Sequence, residues 1–208
     1  MRNPRSSTPK DRIPELLLRD PLAEFLGALG PGETFSYSYD DAVKLSGHSC
    51  PTVAGSYLMT VVALQALYPG SIPVRGEIEV TIGGAASEST WGPISQVVAF
   101  LTGAAPETGF GGLGGKFRRK HLLRFDPALK GRLQFRRTDT GATVIVRYDP
   151  TAVPAPAEMG QLLGEALAED APPQVRERFA RLWQERVKAI LAGDPKQVVT
   201  IERKDWAA

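Results

Sequence analysis

The chain has 208 residues, 42% hydrophobic and 23% charged, with a net charge of +2, one cysteine and two histidines. That is enough for one sizeable core, and the near-neutral charge removes any general attraction to nucleic acid or to an anionic membrane. One cysteine excludes an intramolecular disulfide, no apolar run approaches the roughly 18 residues of a membrane span, and no secretory leader pattern is present, so a cytoplasmic protein is expected.

Residues 1–12, MRNPRSSTPKDR, are polar and basic with two prolines and read as a flexible lead-in. From Ile13 to Leu29 apolar residues recur at helical spacing (Leu16, Leu17, Leu22, Phe25, Leu26, Leu29). Pro21 is compatible only if a new helix starts there with Asp20 as its cap. Phe35, Tyr37 and Tyr39 alternate like a short strand, and a helix over Asp40 to Leu45 ends at Gly47. Pro51 to Leu67 is the clearest helix: proline sits in its first turn and apolar residues cover nearly all its faces, so it should be buried all round.

Beyond Pro69-Gly70, Ile78, Val80 and Ile82 predict one face of a strand, and Ser95 to Leu101 a short helix ending at Gly103. After the glycine-rich stretch 103–116, "KHLLRF", "GRLQFRR" and "ATVIVRYD" read as three strands, the last two joined by a turn at Asp139-Thr140-Gly141. Prolines 150, 154 and 156 mark a boundary before helices over Met159 to Leu167 and Val175 to Leu191. The expected class is α+β: an antiparallel sheet packed with a long buried helix in a core over 13–150, plus a C-terminal helical extension over 151–208 that packs on the core or on a dimer partner.

The scarce residues meet in "SGHSCP", Ser46 to Pro51. His48 and Cys50 can direct an imidazole nitrogen and a thiolate towards one point, and both are good zinc ligands. Cys50 also falls at the N-terminus of the buried helix, where unpaired N–H groups and the helix dipole favour a thiolate, suiting it to metal binding or to nucleophilic attack. A buried, inert cysteine beside a turn-capping histidine accounts for the same letters without chemistry.

"GHSCPTVAGSYLMTVVALQAL" resembles the opening signature of the FmdE family, named for a component of formylmethanofuran dehydrogenase: Gly-His-x-Cys-Pro before a long buried helix. Gly47, His48, Cys50 and Pro51 match it, Tyr57 matches an aromatic position of that helix, and "FLTGAA" with the glycines to 115 resembles a later segment. The similarity spans roughly residues 22–149. Several features depart from the family. Thr52 follows the proline, Ser56-Tyr57-Leu58 replaces Gly-Tyr-Arg, and Ser89-Thr90-Trp91-Gly92 and Thr102-Gly103-Ala104 stand where relatives carry further cysteines. A proline linker and two helices replace the zinc ribbon of several relatives. The resemblance implies an α+β core that pairs as a homodimer, with a cleft near the His-x-Cys loop and, commonly, a bound metal.

Further ligands are sought in His121, the only other imidazole, and in Glu77, Glu79, Glu88, Glu107, Asp40 and Asp41. If the site is catalytic, Cys50 and Glu88 are the candidate catalytic residues, Cys50 as ligand before nucleophile and Glu88 as proton carrier. The loop "GFGGLGGKFRRKH" invites a phosphate-binding reading through Lys116, Arg118 and Arg119. It fails the P-loop pattern, and a strand rather than a helix follows it. Its glycines would let the backbone pass close to a ligand or a dimer partner, with Phe110 and Phe117 as apolar walls and His121 nearby, a setting that would suit a flat cofactor. The expectation is an FmdE-like protein binding metal, zinc before haem or another transition metal, through His48 and Cys50. It is either a metalloenzyme of undetermined reaction on a small molecule or a non-catalytic accessory holding metal, haem or cofactor for a partner redox enzyme.

Overall fold

The computed structural model describes residues 13–205; residues 1–12, the expected lead-in, and 206–208 lie outside the described residues. Instead of a helix from Ile13, the chain first forms a strand, β1 (Leu16–Leu18), antiparallel to β2 (Phe35–Tyr37) with Leu17 opposite Ser36. Leu16 and Leu18 are buried and Leu17 is exposed, so three consecutive leucines obey a period of two as readily as a helical one. Asp20, extended as pre-proline residues are, caps a short helix α1 (Pro21–Phe25), its Oδ1 accepting the N–H groups of Leu22 and Ala23 at 3.1 and 3.2 Å.

Helix α2 (Tyr39–Ser46) begins with a capping box between Ser38 and Asp41 and stops at Gly47, whose φ of 73° is the left-handed value that favours glycine. Helix α3 (Pro51–Leu67) matches its expected bounds, with Cys50 as N-cap. Every residue in it but Pro51, Thr52, Gln65 and Ala66 is buried. It packs on the sheet and is flanked by α4 (Trp91–Thr102), which starts at Trp91 rather than Ser95.

The main sheet holds β3 (Ile78–Ile82), β4 (Leu123–Phe125), β5 (Arg132–Arg137), β6 (Thr143–Tyr148) and β7 (Val199–Asp205) in the order β4-β3-β5-β6-β7. The pairs β3–β5, β5–β6 and β6–β7 are antiparallel, but β3–β4 is parallel, so the sheet is mixed within an α+β fold. Helices α5 (Met159–Leu167) and α6 (Pro173–Ala192) follow, and α6 sends Val187, Ile190 and Leu191 into the core shared with α3. The C-terminal segment then re-enters the sheet as β7, a strand the sequence reading did not anticipate.

Candidate functional site

The His-x-Cys loop is held from four directions. Cys50 is 9% exposed; its Sγ accepts the N–H of Val53 at 3.4 Å, making the thiol the side-chain cap of α3. His48 is exposed, and its Nδ1–H donates to Ser46 O at 2.9 Å. That bond fixes the tautomer and leaves the Nε2 lone pair free, the arrangement by which a backbone carbonyl orients a metal-binding imidazole. Between them, Ser49 Oγ is 2.9 Å from the hydroxyl of Tyr39, and Ser49 O accepts from Trp183 Nε1 at 3.1 Å and Gln184 Nε2 at 3.0 Å, both on α6. Tyr148 of β6 donates to Pro51 O at 2.9 Å.

Gly55 explains how Tyr148 reaches this position: a Cβ there would lie 2.5 Å from Cδ1 of the Tyr148 ring, so the helix admits the ring only without a side chain. Tyr39 and Tyr148 lie near Cys50, and burial pushes both phenols up to about 12. They remain neutral hydroxyls at physiological pH. Farther along α3, the buried hydroxyl of Tyr57 faces the carbonyls of Pro14 and Tyr37 at 2.8 and 2.9 Å and ties the β1–β2 hairpin to the helix.

Among the described residues, no three His, Cys, Asp or Glu side chains gather where they could hold a metal ion, so His48 and Cys50 are donors without a protein third ligand. The carboxylates weighed from the sequence have other partners or lie exposed. Glu88 accepts the Ala85 N–H in an exposed turn, Glu79 pairs with Arg136 at 3.0 Å across β3 and β5, and Asp41 caps α2 and pairs with Lys44 at 2.8 Å. Asp40, Glu107 and His121 are exposed, His121 with φ 66°. Phe110 is exposed and its carbonyl accepts the N–H groups of Arg119 and Lys120, whereas Phe117 packs on Phe25 with ring centroids 5.2 Å apart.

A second polar cluster was missed because it joins residues far apart in sequence. Asp20 is 4% exposed and receives Arg119 Nη2 at 2.6 Å on Oδ1 and Arg75 Nη1 at 3.0 Å on Oδ2. Arg75 Nη2 also donates to Phe100 O at 3.0 Å. Arg119, which the sequence offers only as an anion contact of the glycine-rich loop, is 7% exposed. Burial lowers its pKa, and Asp20 opposes that shift. Its guanidinium occupies the space that side chains at Gly76 and Gly103 would fill; a Cβ on Gly103 would lie 2.7 Å from Nη1. The one sequence clue was Asp20 itself, read only as a helix cap.

Fold and loop together define an α+β protein in which a Gly-His-x-Cys-Pro loop caps a buried helix. The chain belongs to the FmdE family: the model described as "FmdE, Molybdenum formylmethanofuran dehydrogenase operon" matches residues 45–200. The match takes in the two C-terminal helices and the start of β7, beyond the span of 22–149 suggested by the motifs. No curated protein matches the chain. Among solved structures, a tungsten formylmethanofuran dehydrogenase FmdE-like protein from Syntrophus aciditrophicus is similar at 18% identity and a TM-score of 0.43, over 82% of this chain and 73% of that one. No helix among the described residues is long and apolar enough to cross a membrane.

Proposed function

We propose that this protein binds a divalent transition metal, zinc first, through His48 Nε2 and Cys50 Sγ, with the remaining coordination positions open to water, a small-molecule ligand or a second copy of the chain. The supporting observation is the His48 Nδ1–Ser46 O bond of 2.9 Å, which leaves Nε2 as the free ring nitrogen two residues from the only thiol. Imidazole and thiolate are donor types zinc prefers, and since catalytic zinc centres keep one position open beside three protein ligands, a third donor would come here from a second copy of the chain or a bound ligand.

Bound there, zinc would supply Lewis acidity to a substrate carbonyl or to water. The chain's own contribution is positional. Tyr39, Trp183 and Gln184 hold Ser49 between the two donors, and Tyr148 holds Pro51, so both ligands are presented on a braced loop. Cys50 serves as ligand, and Glu88 is the carboxylate to test as proton carrier. In the alternative reading, the same donors hold metal or haem without catalysis, for delivery to a partner redox enzyme.

Metal analysis and an absorption spectrum of freshly purified protein test both readings. Zinc at about one per chain without a Soret band, lost in the double variant His48→Ala/Cys50→Ser, is the expected result. Full occupancy in that variant sinks the site. A Soret band in the wild type favours the accessory reading, and a solution mass of one chain removes the expected homodimer.

A further inference from the structure

We propose a second site, independent of the His-x-Cys loop: a pocket at the base of the glycine-rich loop that binds the phosphate group of a small phosphomonoester. A cavity of about 250 Å³ is lined by Arg75, Glu77, Lys116, Phe117, Arg118 and Arg119. That is below the roughly 300–1,000 Å³ of drug-sized sites, so its occupant is small.

The charge balance points to an anion. Four of these side chains are cationic, against Glu77 at the wall and Asp20 buried behind it. Asp20 answers both guanidiniums, its Oδ1 accepting Arg119 Nη2 together with the N–H groups of Leu22 and Ala23 and its Oδ2 accepting Arg75 Nη1. Asp20 pairs with both arginines behind the cavity, so the excess of positive charge is carried by Lys116 and Arg118 at its edge, and a phosphate monoester, with about −1.5 to −2 near pH 7, matches that excess where a carboxylate would leave part of it unanswered.

Unused donors point the same way. Arg119 Nη1 and Arg75 Nε are buried without hydrogen-bond partners, and such groups call for an explanation in a bound ligand or ion. At the mouth, the side chains of Lys116 and Arg118 are exposed and make no hydrogen bond or ion pair among the described residues. They can close over an anion without breaking an existing contact. Gly76, at φ 84°, keeps the turn before β3 free of the side chain that would collide with the Arg119 guanidinium. Phe117, packed on Phe25, offers an apolar wall for the organic part of an ester.

The test uses the full chain, with inorganic phosphate and phenyl phosphate as probes, titrated at constant ionic strength and followed by calorimetry and thermal unfolding. Saturable binding with a rise in Tm is expected from either probe. The double variant Lys116→Ala/Arg118→Ala should weaken it at least about tenfold, because it removes two charge-assisted hydrogen bonds to the anion. Without phosphate its Tm should equal that of the wild type, since neither side chain has a partner to lose. No saturable binding, or equal binding by wild type and variant, overturns the site. Because His48 and Cys50 are untouched, metal content in the same variant should not change, which separates failure here from failure of the metal reading.

Discussion

Trp183 Nε1 donates to Ser49 O at 3.1 Å, linking the C-terminal helix α6 to the residue between His48 and Cys50 across 134 positions of sequence. Gln184 donates to the same carbonyl at 3.0 Å, so one acceptor is gripped twice from one helix turn. Trp183→Phe removes one of these bonds while keeping most of the apolar contact. It should lower stability by about 1 kcal/mol and, by loosening the loop, speed alkylation of the buried Cys50 several-fold in metal-free protein. Timed reaction with an alkylating reagent measures the second effect; an unchanged rate would show that α6 does not control access to the thiol.

Gly55 and Tyr148 form a tight contact in which one residue has no side chain so that the other can have a large one. Gly55→Ala should destabilise the protein by about 1–3 kcal/mol through overpacking, despite the better helix propensity of alanine. Adding Tyr148→Leu should recover part of that loss, making the pair clearly non-additive in denaturant unfolding. Simple addition of the two costs would mean that the helix shifts and the ring is not what excludes the methyl group.

The contrast between these two contacts explains what sequence could disclose. Pro51–Leu67 was legible because its signals are local: a proline in the first turn and apolar residues on every face. Leu16–Leu18 is ambiguous in sequence because three adjacent leucines satisfy both periodicities, and only pairing with Phe35–Tyr37 decides between them. The parallel pairing of β3 with β4 leaves no mark on composition, and β7 alternates Val199 and Ile201 with polar residues too briefly before a charged run. At the site, His48 and Cys50 stood out by scarcity. Trp183 and Tyr148, which brace them, look in sequence like ordinary helix-stripe and strand residues and Gln184 like an ordinary polar helix residue, and no local pattern places Asp20 beside Arg119.

Asp41 carries a pH-dependent contribution with a definite sign. Its carboxyl is held down to about 2, first by the hydrogen bond from Lys44 and then by the Ser38 N–H. A folded pKa below the unfolded value of 3.8 means stability that is fully present above about pH 4 and lost as pH falls through 2. Asp41→Asn should therefore be less stable than wild type at pH 6, and the gap should narrow at pH 3. Ser38→Ala, which removes the cap itself, should cost about 1 kcal/mol at neutral pH. Denaturant midpoints at the two pH values decide the point, and a gap for Asp41→Asn that stays constant between them contradicts the assignment.

Asp20 is the residue whose replacement should cost most for the fewest atoms changed. Asp20→Asn preserves an oxygen for the α1 cap but removes the carboxylate paired with both Arg75 and Arg119, one of them almost fully buried. Breaking a buried ion pair from one side costs about 3–5 kcal/mol because the abandoned charge stays desolvated. Arg75, partly exposed, can turn some of its charge to water, which places the expected loss near the lower end. Converting the partner as well, in Asp20→Asn/Arg119→Met, removes the stranded cation and should be less destabilising than the sum of the single changes. Equilibrium unfolding of the four proteins in the cycle measures the coupling; if it is near zero, the pair at 2.6 Å contributes geometry without energy, and the β1–α1 junction is held by its backbone caps alone.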